Sequence, residues 1–223
     1  LGLLLAIDTA GSRCQVAVAD ESGAVLAKRE PDLGRGHAEH LAGLVRDALS
    51  EAGASFADLS RIAVTVGPGS FTGLRVGVAA ARGFALALGV PAVGVSTLEA
   101  LAEPHRGRGP VLCLLDAKRG EAYAACYAAD GEALLAPSAI PLEALGEAVS
   151  ALPRPAAIAG SGAFLLDGLT AFAEIPRFAP DGHVEIASVA RLGLGKSVIE
   201  PPRPLYLRGA DAKPQSRTVS LLA

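Results

Sequence analysis

The sequence predicts an α/β protein made of two similar lobes in tandem, the second degenerate. Three observations carry this. An apolar run that closes on a carboxylate occurs twice, at Leu3–Asp8 and at Val111–Asp116. The order strand, strand, strand, helix, strand, helix of residues 1–90 is loosely repeated after residue 110. Between the copies lies Pro104-His-Arg-Gly-Arg-Gly-Pro110, the clearest linker in the chain. The expected lobes are therefore 1–103 and 111–208, joined by 104–110 and followed by a polar, mobile tail, 209–223.

Each element has a local cause. Leu3–Asp8 is a continuous apolar run of strand length. Cys14–Asp20 alternates, with Cys14, Val16 and Val18 on one face, and Glu21-Ser-Gly23 turns it into Ala24–Arg29. From His37 the period becomes helical: Leu41, Leu44, Val45, Ala48 and Leu49 share a face, and Gly53 ends the helix. Ser55 to Asp58 reads as a capping box. Arg61–Val66 is a β-branched strand, Leu74–Leu88 a helix stopped by Gly89, and Pro91–Val95 a short strand. Ser96-x-x-Glu99 opens the next helix. After the linker come strands at Val111–Asp116, Glu121–Ala128 and Glu132–Leu135, a helix at Leu142–Leu152 and a strand at Ala156–Ala159. Ile186–Ile199 is the last expected helix, weakened by Gly193 and Gly195.

Composition narrows the function classes. The chain has 223 residues, 51% hydrophobic and 19% charged, so it can bury a large core. Aromatics are only 4%, so that core is aliphatic and alanine-rich. The net charge of −3 leaves no excess of cations for phosphate backbones, and the isolated chain is expected to bind RNA weakly. Cys14, Cys113 and Cys126 form no CxxC pair and read as small core residues in a reducing compartment. The apolar start is too short for a signal, and no membrane association is expected.

The most informative segment is Gly67-Pro-Gly-Ser-Phe-Thr-Gly-Leu-Arg-Val-Gly77. It fits two readings. With Asp8 and Thr9, the amides and hydroxyls around Gly67, Gly69, Ser70, Thr72 and Gly73 are a candidate anion-binding loop. Alternatively, the glycines form a strand–helix connector that lets the backbone pass close to the first strand. No Lys-Ser/Thr follows, so it is not a Walker A loop. Ser70 has no evident His/Asp support, which argues against a serine hydrolase. Two meander-plus-crossover units in tandem imply ribonuclease-H-like lobes, the architecture of actin, Hsp70 and sugar kinases.

Five segments in chain order then resemble the bacterial TsaB (YeaZ) family. They are Leu5-Ala-Ile-Asp-Thr-Ala10, the Gly67–Gly77 string, Gly94-Val-Ser-Thr-Leu-Glu-Ala-Leu101, Asp116-Ala-Lys-Arg-Gly-Glu-Ala-Tyr123 and Pro204-Leu-Tyr-Leu-Arg208. The resemblance implies a cytoplasmic, non-catalytic scaffold in the synthesis of N6-threonylcarbamoyladenosine (t6A) in tRNA. It implies that the chain binds the TsaD transferase, that the ATPase TsaE joins the pair, and that the chain alone forms a homodimer. tRNA would be met only through the complex.

The residues agree with a pseudo-enzyme. The TsaD family carries HxxxH on its first long helix, whereas this chain has His37-Ala-Glu-His40, read as exposed side chains at a polar helix start. No third ligand is evident, so no metal is expected. Lys118 and Arg119 stand where a second phosphate loop wants a small turn, and Gly160-Ser-Gly162 is a faint adenosine-loop echo. No cofactor is therefore expected, weak nucleotide binding being the most these residues allow. Gly73, Gly77, Ala81 and Ala85 form a small-residue stripe, and Leu41, Leu44 and Val45 lie on the preceding helix. These seven residues are the expected partner interface, with packing on the lobe's own sheet as the alternative for the stripe. An active two-lobed ATPase or phosphotransferase is the competing function, and a metallopeptidase the third.

Overall fold

A computed structural model describes residues 2–208; the expected mobile tail, 209–223, lies outside the described residues. Strands β1 (Leu3–Asp8), β2 (Gln15–Ala19) and β3 (Val25–Arg29) form an antiparallel meander. Helix α1 (His37–Glu51) leads to β4 (Leu59–Gly67), α2 (Phe71–Leu88), β5 (Ala92–Ser96) and α3 (Thr97–Ala102). The second half runs β6 (Val111–Asp116), β7 (Glu121–Tyr127), β8 (Ala133–Pro141), α4 (Leu142–Ser150), β9 (Ala157–Ala159), β10 (Arg177–Phe178) and α5 (Ile186–Gly195).

The two sheets have the same connectivity. One is ordered β3-β2-β1-β4-β5 and the other β8-β7-β6-β9-β10, each with β1 or β6 at its centre. β4 runs parallel to β1, and β9 parallel to β6. The fold is thus α/β, with two mixed sheets in two tandem lobes, as the sequence predicts. The second copy is reduced: short 3₁₀ turns at Ala163–Leu166 and Thr170–Phe172 stand where the first copy has α2.

Alternation along the central strands divides the core. Leu5 and Ile7 of β1 face α1 and α2, while Leu4 and Ala6 face the other lobe. Leu112 and Leu114 of β6 face α4, while Val111, Cys113 and Leu115 turn inward. The inward faces meet in one cluster filled by α3 (Leu98, Leu101) and α5 (Ile186, Val189).

This exchange corrects the expected lobe boundary. α5, placed by sequence in the second lobe, packs on β1, β2, β4 and β5 of the first. α3 reciprocates by packing on β6 and β7. The reason is apolar area: each sheet needs cover on both faces, and each lobe donates a helix to the other. Gly193 is the contact point, since a Cβ there would lie 2.3 Å from the Ala63 Cβ. The glycine read as weakening α5 is what lets it close on the sheet. The helix ends at Gly195, not Ile199, because Arg61 donates to the carbonyls of Gly193 (2.9 Å) and Lys196 (2.7 Å). β8 is longer than its predicted four residues, because it pairs along nearly the whole of β7.

Candidate functional site in the interlobe cleft

The C-terminal ends of β1 and β6 open into a cleft of about 430 Å³ between the lobes. It is lined by Asp8 and Ser12 from the first lobe and by Asp116, Lys118, Ser161 and His183 from the other side, among others.

Asp8 is buried and accepts three hydrogen bonds. Its Oδ1 accepts from the Ala10 amide (3.0 Å) and the Thr65 hydroxyl (2.5 Å), and its Oδ2 from Gln15 Nε2 (2.8 Å). Thr9 is fully buried and donates to the Gly73 carbonyl at 2.7 Å. The two residues predicted to present groups to an anion are spent on the fold. Ser70 caps α2, accepting from the Gly73 amide at 3.2 Å, which starts the helix three residues before the predicted Leu74.

The glycines of the loop are explained by close approach. A Cβ on Gly69 would lie 2.6 Å from the Ala10 carbonyl, one on Gly73 2.0 Å from the Thr9 carbonyl, and one on Gly77 2.3 Å from Thr9 Oγ1. The connector reading holds for Gly73 and Gly77. Of the predicted anion loop, Asp8, Gly69 and Ser70 line the cleft. Thr9, Gly67 and Gly73 are buried beneath it, and Thr72 lies exposed on the first turn of α2.

The second strand end is closed differently. Lys118 has φ +59° and Arg119 φ +55°, so the turn after Asp116 curls back on itself. The Lys118 amide bonds Asp116 Oδ1 at 2.8 Å and its ammonium bonds Oδ2 at 2.6 Å. Lys118 holds the Asp116 carboxyl below the usual carboxylate range. Gly160 and Gly162 pack on the end of β6, where Gly162 N donates to the Leu114 carbonyl at 2.9 Å. The adenosine-loop echo is thus the second lobe's counterpart of the Gly69–Gly73 contact.

The segment after α5 straps both loops. Leu205 N donates to the Val66 carbonyl at 2.7 Å, and Tyr206 accepts from Arg75 Nε at 3.0 Å beside the Phe71 ring. Arg208 pairs with Glu121 and donates to the Ala117 and Lys118 carbonyls.

One constellation was invisible in sequence. His183 Nε2 lies 3.0 Å from Ser12 Oγ, and its Nδ1 lies 2.9 Å from Asp181 Oδ2. Partial burial pushes Asp181 up, but hydrogen bonds from His183 and the nearby Arg13 cation outweigh it, and the carboxyl lies below its ordinary value. Ser12 and His183 are 171 residues apart, and no local pattern announces their meeting.

One of the two α1 histidines departs from expectation. His37 is buried, with Nε2 3.2 Å from the Arg13 carbonyl, whereas His40 is exposed. Among the described residues no group of three His, Cys, Asp or Glu could share a metal ion.

Most residues of the predicted partner interface lie inside the first lobe. Leu41, Val45, Gly73, Gly77 and Ala81 are buried inside the first lobe, and Leu44 and Ala85 are half-buried. Gly73, Gly77 and Ala81 bring α2 onto its own sheet, whereas Ala85 and Leu41 each line a surface groove. The groove between α1 and α2 is lined by the predicted Leu41 together with Ala38, Ala42, Val76, Ala79 and Phe84.

The family model described as TsaD, tRNA N6-adenosine threonylcarbamoyltransferase, matches residues 31–200. A tRNA threonylcarbamoyladenosine biosynthesis protein TsaB of Escherichia coli K12 is 41% identical over 130 residues, 57% of this chain and 55% of its own. The TsaB of Bacillus subtilis 168 is 36% identical over 125 residues, 56% and 54% of the two chains. The crystal structure of YeaZ from Pseudomonas aeruginosa superposes with a TM-score of 0.73 at 28% identity, covering 93% of this chain and all of that one.

The chain belongs to the TsaB/YeaZ family.

An uncharacterized protein of Mycobacterium tuberculosis H37Rv is 36% identical over 216 residues, 96% of this TsaB-family chain and 95% of its own. The ROK hexokinase of Thermus thermophilus superposes with a TM-score of 0.50 at 16% identity and shows only that the TsaB fold is that of the two-lobed sugar kinases.

Proposed function

We propose that this TsaB-family chain is a supporting subunit in tRNA t6A synthesis, binding a TsaD transferase without itself carrying out threonylcarbamoyl transfer. The family match and the TsaB-named relatives support the pathway. One observation carries the supporting role: both strand ends at the cleft are closed by the protein's own groups. Asp8 accepts three hydrogen bonds, from Ala10, Gln15 and Thr65, and the exposed Lys118 ammonium pairs with Asp116. A phosphate entering here would have to displace bonds the fold has already made, so nucleotide binding at this site is weak.

The outward face of α2 supports a protein partner. This eighteen-residue helix has a mean hydropathy of 1.3 and is long and apolar enough to cross a membrane by those measures alone. Its inner face is instead packed on β4, while Phe71 and Leu86 stay exposed on the outside. An apolar helix face left in water marks an interaction surface. On this reading the α1/α2 groove takes TsaD, or a second copy when TsaD is absent, and TsaE joins the pair. tRNA is met through the complex, in the cytoplasm.

Reconstitution tests the reading. Purified chain is combined with TsaD, TsaE, the adenylate-forming enzyme, tRNA, threonine, bicarbonate and ATP. Omission of this chain should abolish t6A. Undiminished t6A without it, or robust ATP hydrolysis by the chain alone, overturns the assignment.

A further inference from the structure

The geometry points to Ser12, His183 and Asp181 as an acyl-transfer site that hydrolyses small esters in the interlobe cleft. This activity is separate from threonylcarbamoyl transfer and rests on none of the reading above.

The chemistry requires a nucleophile bonded to a base and a third group that orients the base. All three are present in series. Ser12 Oγ and His183 Nε2 are 3.0 Å apart, and His183 Nδ1 and Asp181 Oδ2 are 2.9 Å apart. With Nδ1–H donating to the carboxylate, Nε2 is left as the acceptor for the serine proton. Asp181 is held in turn by Arg13 at 3.3 Å and by the His183 amide at 3.1 Å.

The arrangement is built rather than incidental to one loop. Ser12 comes from the turn after β1, and the other two come from the segment before α5. A Cβ on Gly11 would lie 2.9 Å from His183 Cδ2, so only glycine leaves room for the ring beside Ser12. Gly182 has φ +76° and fits under Ser161, which sets the turn between acid and base. Ser12 and His183 both line the cleft, which a substrate can enter. The cleft, about 430 Å³ and lined by Leu115, Tyr123 and Val184 beside Asp116 and Lys118, has room for a small acyl group rather than a long fatty one.

The step balances without a cofactor. Ser12 Oγ attacks the ester carbonyl carbon while its proton passes to His183 Nε2. The carbon–oxygen bond to the alcohol breaks, and the alcohol leaves with that proton. Water, deprotonated by His183, then attacks the acyl-Ser12 ester, releasing the acid and restoring the serine.

The test uses a fluorophosphonate probe and p-nitrophenyl acetate on the full chain, with the modified residue located by mass spectrometry. Ser12 should be phosphonylated, and acetate should give a stoichiometric burst with acetyl on Ser12. Ser12→Ala should lose both. His183→Gln, which can still bond Ser12 but cannot take its proton, should slow labelling at least about 100-fold. Melting curves confirm that each variant is folded, and His183→Asn replaces any that is not. Absence of label on Ser12, or equal labelling rates with and without His183, overturns the site and leaves the bond as a tie between segments.

Discussion

Thr9 Oγ1 donates to the Gly73 carbonyl across 2.7 Å, and the missing Cβ of Gly73 would sit 2.0 Å from the Thr9 carbonyl. The end of β1 and the start of α2 therefore touch backbone to backbone. Gly73→Ala should cost at least about 3 kcal/mol, the top of the usual overpacking range, because rigid backbone rather than a flexible side chain is in the way. Thr9→Val, which keeps the shape and removes the donor, should cost about 0.5–1.5 kcal/mol, the net worth of one hydrogen bond, because the Gly73 carbonyl keeps its place in the ladder of α2. Urea unfolding of both variants measures this; wild-type midpoints would show that the contact is not formed.

Two arginine substitutions on α2, two residues apart, should behave oppositely. Ala81 has no exposure and packs in the first-lobe core, whereas Ala79 is exposed in the α1/α2 groove. Ala81→Arg buries an unpaired cation and should leave no folded protein. Ala79→Arg should melt like the wild type and reduce TsaD binding at least about tenfold, because each 1.4 kcal/mol at an interface is a factor of ten. A melting curve beside a pull-down reads both, and full-strength TsaD binding by Ala79→Arg would remove this face from the interface.

Acid should loosen the attachment of α5. Glu103 accepts from Ser188 Oγ (2.8 Å), Arg191 Nε (2.8 Å) and Arg191 Nη2 (2.6 Å). Burial pushes the Glu103 carboxyl up, but the bonds from Arg191 and Ser188 outweigh it and hold it below its ordinary value. A depressed carboxylate contributes stability that is complete above its unfolded pKa and is lost as pH falls through the folded one. The gap in stability between wild type and Glu103→Gln, about 1 kcal/mol for a partly exposed pair, should therefore hold above about pH 5 and shrink as the pH falls below about 4.5. A pH-independent gap would assign the effect to packing.

Much of the fold was legible because its signals are local. Apolar runs closed by Asp8 and Asp116, the Leu41–Leu49 helical period and the Ser55–Asp58 box each depend on residues a few positions apart. Their periods fix strand or helix before any packing occurs. The duplicated order of these elements then fixes two equivalent sheets.

What the sequence could not decide is which face of an element meets which neighbour. Gly73, Gly77 and Ala81 fit a partner helix or the chain's own sheet equally well, and only the approach of β1 shows that the sheet takes them. α5 crosses to the first lobe because the area it buries there exists only once both sheets have formed. The Ser12–His183–Asp181 series has the same origin. It joins groups 171 residues apart, and their distances are set by loop closure across the cleft rather than by any spacing along the chain.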